Sequence, residues 1–395
     1  MFKNINCKNL PSLRRNIVYQ FLYELLIVFI PLFTIPYVSR VLGAENIGLF
    51  SYTYAVANYF VLFANLGIKN YGSRTIAMVR NNKEELNRNF SEILSIHIIF
   101  SIIVIFVYLV LLFFFVEDNL VIFLIQSIYV FAAVFDINWF FFGIEKFKLT
   151  VGRNTLVKIL SVFLVLVFVK TQTDLWIYAL ILALSVFVGQ SVVWFALKQY
   201  VSWRRPSWAN MKQHIRPLFV LFLPILALSL YKYMDKIMLG SISSNVQVGF
   251  YENAEKIINV PMSLIMAFGV VLMPRIANMV TSKDKGEVFK LIDMSMEAVM
   301  LLAIAISFGL AGISFVLAPI FFGYEFEECG ILIMGLAVTV PFMAFANVIR
   351  TQYLIPYKED KIFVVSLFLG AAVNLIVNII LIPYMAARGA VIGTI

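Results

Sequence analysis

Long apolar stretches alternate with short polar segments along the whole chain. A helix needs roughly 20 apolar residues to cross the hydrocarbon core of a membrane, and eleven stretches reach that length. They cover, to within a few residues, 16–38, 47–67, 90–116, 119–142, 149–170, 175–197, 217–240, 247–273, 294–320, 330–355 and 362–383. The pattern therefore predicts an all-α polytopic membrane protein with eleven full spans.

The end of the chain continues the same pattern. Residues 388–395 resemble the first turns of a twelfth helix. We expect the sequence to be a C-terminal truncation of a longer protein, because this segment is too short to cross a membrane.

Composition agrees with a membrane protein. Hydrophobic residues make up 62% and charged residues 13% of the 395 residues, whereas a soluble domain has about 45–50% and about 25%. One large soluble globule and the disordered and fibrous classes are therefore excluded.

The basic residues are distributed unevenly between the two sides of the predicted membrane. Alternate loops carry 23 Lys and Arg residues on one side and three on the other. Basic loops stay in the cytoplasm, so the N-terminus is predicted to be cytoplasmic. This topology explains the net charge of +9, and we expect no nucleic-acid partner.

The sequence offers little for catalysis. Its two cysteines and two histidines argue against a disulfide framework and a His-rich metal site. No Gly-Lys dipeptide of a Walker loop occurs, and no Ser-His-Asp or Cys-His arrangement is apparent. We predict that the protein is not an enzyme and has no catalytic residues, no cofactor and no metal site.

The two halves of the chain repeat a pattern. Gly48 precedes Arg74 by the same spacing as Gly249 precedes Arg275, and both pairs follow a Leu-Gly dipeptide. Six spans separate the copies, which preserves orientation and predicts parallel repeats. Two six-helix lobes around a central cavity form a transporter layout. The predicted parts are an N-terminal lobe at 1–198 with spans 1–6, a cytoplasmic linker at 199–216, and a C-terminal lobe at 217–395 with spans 7–11 and the start of span 12.

Ionisable residues inside the spans are costly to place in lipid, at about 2.5–3.5 kcal/mol each. Two triplets share a helix face: Lys232, Asp235 and Lys236 in the seventh span, and Glu252, Glu255 and Lys256 in the eighth. The turn between these spans is centred near Ser244, so Lys236 and Glu252 are predicted at matching depths. The triplets are either structural ion pairs or, as we favour, part of a cavity.

Other charged residues also lie within the spans. Asp136 and Lys158 stand at equal distances from Phe147, which predicts a structural ion pair between the fourth and fifth spans. Glu24 lies inside the first span, and Arg350 is near the inner end of the tenth, where its side chain either snorkels to the interface or faces a cavity.

Several motifs resemble one family in their order and spacing. They are Ile35-Pro36-Tyr37-Val38-Ser39-Arg40-Val41-Leu42-Gly43, Ile47-Gly48-Leu49-Phe50-Ser51-Tyr52, Asn65-Leu66-Gly67, Ser73-Arg74-Thr75-Ile76-Ala77, Gly249-Phe250-Tyr251-Glu252-Asn253-Ala254, Pro274-Arg275-Ile276-Ala277 and Gly389-Ala390-Val391-Ile392-Gly393-Thr394. The chain resembles bacterial polysaccharide (O-antigen type) flippases. These belong to the polysaccharide transporter family of the multidrug/oligosaccharidyl-lipid/polysaccharide exporter superfamily.

The resemblance implies an inner-membrane flippase that moves a polyprenyl-pyrophosphate-linked oligosaccharide from the cytoplasmic to the outer leaflet by alternating access. It implies this lipid-linked oligosaccharide and membrane lipids as partners, with polysaccharide polymerase or assembly proteins as further candidates. The predicted head-group contacts are Lys232, Lys236, Lys256 and Arg350. The predicted charge-tuning or ion-coupling residues are Asp235, Glu252, Glu255 and Glu24.

Two rival functions share this layout. A cation-coupled multidrug antiporter would favour an acidic cavity, whereas here basic residues match the acidic ones. A lipid II flippase would have a similar cationic cavity, usually with extra terminal helices. A polymerase or glycosyltransferase would need a large catalytic loop, which the short loops of this chain do not provide.

Overall fold

The computed structural model describes residues 10–281 and 285–395. Side chains are described from residue 30 onward, apart from residues 147, 148, 270, 271, 274, 281–285 and 360. The side chain of Glu24 therefore lies outside the described residues, as does Cys7.

Within the described ranges the structure is helical and contains no strand, which confirms the all-α fold. The helices are α1 (Leu10–Asn65), α2 (Ile68–Val79), α3 (Lys83–Phe115), α4 (Leu120–Val134), α5 (Asn138–Gly143), α6 (Phe147–Phe168), α7 (Leu175–Leu197), α8 (Trp208–Ile242), α9 (Asn245–Thr281), α10 (Lys285–Phe322), α11 (Cys329–Ala337), α12 (Thr339–Val348), α13 (Asp360–Met385) and α14 (Ala387–Thr394). Two 3₁₀ turns (Gln172–Asp174 and Tyr324–Phe326) and a π-helical segment (Ile349–Leu354) complete the order.

Nine helical stretches in the described part of the chain are long and apolar enough to span a membrane. The first of them, Ile30–Val79, contains the bend that separates the first two predicted spans. At this bend Gly43 has φ 77° and ψ 173°, a conformation that glycine adopts without steric cost. The multi-pass membrane architecture agrees with the sequence, and the number of eleven spans stays a prediction.

The chain divides into two compact units. Unit 1 contains the described residues up to Thr34 together with Val56–Ile225, and unit 2 contains Ile35–Ala55 together with Leu226–Ile395. This division differs from the predicted lobes mainly in the segment Ile35–Ala55, which packs with the C-terminal half of the chain. Side-chain contacts explain that placement, because Asn253 donates to the Ser39 hydroxyl at 2.9 Å.

Close helix packing reinforces the placement of this segment in unit 2. A Cβ added to Gly249 would meet the Ala44 carbonyl and lie 3.2 Å from the Gly48 nitrogen, and one added to Gly48 would meet the Asn245 carbonyl. The two glycines that the sequence repeat aligns are therefore neighbours in unit 2, where α1 and α9 approach backbone to backbone.

We expect Gly249→Ala to lower the melting temperature of the purified protein. The added methyl group must push α1 and α9 apart, and overpacking of this kind costs about 1–3 kcal/mol. Gly309→Ala is the matched control, since a Cβ at Gly309 meets nothing within 4 Å. Equal melting temperatures for the two variants would contradict the close approach.

Candidate functional site

The α8–α9 hairpin carries four interacting charges, which we call the α8–α9 charge cluster: Lys236, Glu252, Glu255 and Lys256. The turn lies at Ser243–Ser244, between the end of α8 and the start of α9. The Lys236 ammonium lies 2.6 Å from Glu252 Oε2 and 2.7 Å from Glu255 Oε2. Lys256 Nζ lies 3.1 Å from Glu252 Oε1. The cluster is balanced in charge, with Lys236 buried at its centre.

The three lysines of the hairpin differ in what they can offer a ligand. Lys236 is 8% exposed and holds two carboxylates. The side chain of Lys256 keeps 31% of its surface exposed. Lys232 is exposed, and its ammonium lies 5.3 Å from the centre of the Tyr233 ring. Among the described residues Lys232 has no carboxylate partner, so it is the hairpin cation that is most available to an anion.

Asp235 occupies a different environment, one turn from Lys232 on α8. Its carboxylate is 4% exposed and accepts hydrogen bonds from Tyr251 at 2.6 Å, Asn378 at 2.6 Å and Thr394 at 3.0 Å. Asn378 also donates to Asn374 at 3.1 Å. We call these five residues the Asp235 site. A buried carboxylate is normally paired with a cation, and here all described hydrogen-bond donors to Asp235 are neutral.

Arg350 lies in the π-helical segment Ile349–Leu354. Its guanidinium is centred 4.7 Å from the Phe363 ring, and its Nε has no hydrogen-bond partner in the described part of the chain. Short π-helical segments often occur at functional sites. The structure does not join Arg350 to the α8–α9 charge cluster by any described contact.

The predicted ion pair between Asp136 and Lys158 does not form among the described residues. Asp136 Oδ1 instead accepts from the backbone and the side chain of Asn138, at 3.0 and 2.7 Å. Arg153 donates to Asn138 Oδ1 at 3.0 Å and to the carbonyl of Gly189 at 2.5 Å. The polar network of this region therefore uses Arg153 rather than Lys158 as its cation.

Sequence reasoning missed a buried group in unit 1. Glu92 accepts from Asn210 at 3.0 Å, and its other oxygen lies 3.0 Å from His214 Nε2. The second ring nitrogen of His214 lies 2.6 Å from the Tyr71 hydroxyl. One signal was available, since Glu92 is an ionisable residue inside the predicted span 90–116 and His214 lies just before the span 217–240. The sequence positions of these two residues do not show that α3 packs against α8, so their contact could not be predicted.

No group of three or more His, Cys, Asp or Glu residues in the described part of the chain is arranged to hold a metal ion. The site residues therefore offer ion pairs, amides and hydroxyls. Such groups can bind a charged head group or a monovalent ion.

Comparison with known proteins places these features in a family. Residues 13–280 match the family described as polysaccharide biosynthesis protein. A candidate O-antigen transporter of Shigella dysenteriae is 24% identical over 96% of this chain and 96% of its own length. Another, of Escherichia coli K12, is 26% identical over 97% of this chain and 93% of its own.

A solved structure shares the fold. A lipid II flippase MurJ in an inward closed conformation superposes with a TM-score of 0.73 at 14% identity, over 96% of this chain and 84% of that one. The match to 13–280 covers more than half of the chain and includes both the α8–α9 charge cluster and Asp235. The chain therefore belongs to the polysaccharide biosynthesis protein family.

Proposed function

We propose that this multi-pass membrane protein is a flippase for a polyprenyl-pyrophosphate-linked oligosaccharide, which it moves from the cytoplasmic to the outer leaflet of the bacterial inner membrane. The names of its near-full-length relatives support transport of an O-antigen type of substrate. We further propose that it works by alternating access, with a cytoplasmic N-terminus, and that it catalyses no chemical step.

The observation that carries the proposal is the set of ionisable side chains at the α8–α9 hairpin. Burying charges in lipid is costly, so helices that keep six ionisable residues on one hairpin need them for more than packing. A pyrophosphate-sugar head is insoluble in hydrocarbon, while its prenyl tail is soluble there. A path lined by exposed cations lets the head cross while the tail remains in lipid.

The residues divide into four roles under this proposal. Lys232, which is exposed, and Lys256, which is half-buried beside Glu252, contact the pyrophosphate. Arg350 adds a cation from the π-helical segment Ile349–Leu354. Lys236, which the sequence predicts as a head-group contact, is buried between Glu252 and Glu255. We therefore assign it, with these two carboxylates, to the local charge balance. Asp235, a buried carboxyl with neutral partners, binds the proton or monovalent cation that couples transport to a gradient. Glu24 stays a candidate gating residue.

Deleting the gene tests the proposal. We expect loss of surface polysaccharide and accumulation of its lipid-linked precursor on the cytoplasmic side of the membrane, both restored by the plasmid-borne gene. Accumulation of lipid II with normal surface polysaccharide would instead favour a lipid II flippase. Increased drug sensitivity without any precursor accumulation would favour a multidrug antiporter.

Partners follow from the same proposal. The substrate and membrane lipids are direct partners, and polysaccharide polymerase or assembly proteins are candidates for contacts on the side where the oligosaccharide is delivered. Copurification of such a protein with the tagged flippase tests this part.

A further inference from the structure

The segment between α7 and α8 runs along one side of α3 inside unit 1. Lys83 donates to the Tyr200 carbonyl at 2.7 Å, and Asn87 and Ser91 accept from the backbone N–H groups of Ser202 and Arg204 at 3.0 and 2.9 Å. Four helical residues advance about 6 Å, and two extended residues advance about 6.6–7 Å. Every second residue of the segment therefore lies beside every fourth residue of α3, and the two stay in register.

The register ends at Pro206. The next position on α3 is Ser95, and the next on the segment is Pro206, which has no N–H to donate. Ser95 uses its hydroxyl within its own helix, donating to the Ser91 carbonyl at 2.7 Å. Where these hydrogen bonds stop, an open groove begins, with α3 on one side and Pro206 and the start of α8 on the other.

This groove has a volume of about 410 Å³, within the range of about 300–1,000 Å³ for small-molecule sites. Its lining is mainly apolar: Ser95, Ile98, Ile99, Pro206, Trp208 and Met211. Trp208 is 62% exposed and Ile99 42% exposed, so apolar side chains face outward at the mouth. The lining is suited to a hydrocarbon chain rather than to a sugar.

Buried polar contacts hold the groove walls in place. Asn210 and His214, on the first turns of α8, both contact the Glu92 carboxylate of α3. Met211, between them, is buried. The start of α8 is thereby fixed against α3 immediately beside the groove, so the site exists before any ligand enters.

Basic residues stand next to the groove residues along the chain. Arg204, Arg205, Lys212 and Arg216 are exposed, and none of them forms an ion pair within the described residues. Trp203, which is 54% exposed, adds a second indole ring. Tryptophan is enriched at the membrane–water interface, and each nearby Lys or Arg attracts anionic lipid by about 1 kcal/mol.

We propose that the groove binds an acyl chain of an anionic phospholipid, with its phosphate held by Arg204 and Arg205. The apolar lining receives the chain, the arginines neutralise the head group, and the indole rings lie at the head-group level. The lipid belongs to the leaflet that the segment faces, which the distribution of Lys and Arg indicates is the cytoplasmic one. The inference does not depend on the transported substrate.

Native mass spectrometry of the purified full chain, titrated with phosphatidylglycerol and with phosphatidylcholine of the same acyl chains, tests the proposal. We expect wild type to prefer phosphatidylglycerol. R204Q/R205Q should weaken its binding about 30-fold, from two lost attractions of about 1 kcal/mol each. S95F, which fills the groove, should weaken binding of the same lipid while leaving all four cations in place.

The matched control is K290Q/K361Q, which removes two exposed cations from unit 2 on the same predicted side of the membrane. It should bind phosphatidylglycerol as wild type does. An equal loss in this control, or equal binding of the two lipids by wild type, would overturn the proposal. Displacement of the lipid by an equal concentration of glycerol 3-phosphate would also overturn it, because the site would then recognise the phosphate without the chain.

Discussion

Replacing Lys236 by glutamate is expected to deplete the protein from the membrane and to abolish export of surface polysaccharide. Lys236 lies within 2.7 Å of both Glu252 and Glu255, so the variant places three carboxylates together with Lys256 as the nearest described cation. Removing one partner of a buried ion pair already costs about 3–5 kcal/mol, and reversal adds repulsion. Quantitative immunoblots of the membrane fraction, melting of the purified protein, and surface polysaccharide in a deletion strain measure the effect.

Lys232→Glu is the matched control for this substitution, one helical turn away on the same helix. Lys232 is exposed and has no carboxylate partner among the described residues. We expect normal protein levels and a normal melting temperature, with reduced export, because this residue is proposed to contact the substrate rather than to support the fold. The pair of variants separates a structural role from a substrate role.

The double variant K236E/E255K tests the cause of the loss. It exchanges the two charges and leaves the contact between Lys256 and Glu252 in place, so protein levels should recover in large part. Failure to recover would mean that the charge pairing is not what stabilises the hairpin. Normal levels and normal surface polysaccharide in K236E alone would show that Lys236 is needed neither for the fold nor for the charge balance that transport requires.

The hairpin shows what helical periodicity can predict. Lys236 and Glu252 stand at equal distances from the turn, and the structure places them 2.6 Å apart. A tight turn fixes the register of two adjacent antiparallel helices. Counting residues outward from Ser244 is therefore enough to predict that Lys236 and Glu252 lie side by side. The all-α fold followed from the apolar stretches in the same direct way.

The same kind of counting gave a wrong prediction for Asp136 and Lys158, which form no ion pair among the described residues. It assumed one continuous helix over 119–142, whereas α4 ends at Val134 and α5 begins at Asn138. Asp136 lies in the break and accepts the backbone N–H of Asn138, two residues further along the chain, as Asp side chains do in Asx turns. Counting residues along a helix predicts the depth of a side chain in the membrane only where the helix continues, and Asp136 lies beyond the end of α4.

The hydrogen-bond partners of Asp235 could not be predicted from the sequence, for a different reason. Asn378 and Thr394 lie 143 and 159 residues away in the chain, and periodicity gives the face of a helix but not the helix that packs against it. One signal was available. Asn374 and Asn378 form an i, i+4 pair of amides within an otherwise apolar stretch, which marks a polar contact inside the membrane.

Replacing Asp235 by asparagine is expected to leave the fold intact and to remove the response of transport to an ion gradient. The amide keeps an oxygen to accept from Asn378, and its nitrogen can donate to the hydroxyls of Tyr251 and Thr394, which also accept hydrogen bonds. What the variant loses is the negative charge that binds a proton or monovalent cation. Coupling free energies between sites correspond to changes in affinity of about 5–150-fold, so the coupling ion should lose an effect of that order on substrate affinity, and gradient-driven transport should fall with it.

Proteoliposomes that contain lipid-linked oligosaccharide, with an imposed proton or sodium gradient, measure this effect. Asp235→Leu is the comparison, because it removes the acceptor of the Asn378 N–H that points to the carboxylate, and a buried donor left without a partner costs about 1–3 kcal/mol. It should lower the melting temperature, whereas D235N should not. Gradient-driven transport by D235N at the wild-type rate would show that the carboxylate serves only as a hydrogen-bond acceptor. A loss of gradient response in D235N at a normal melting temperature requires the charge itself, since every described neighbour of the carboxylate keeps a hydrogen-bond partner in that variant.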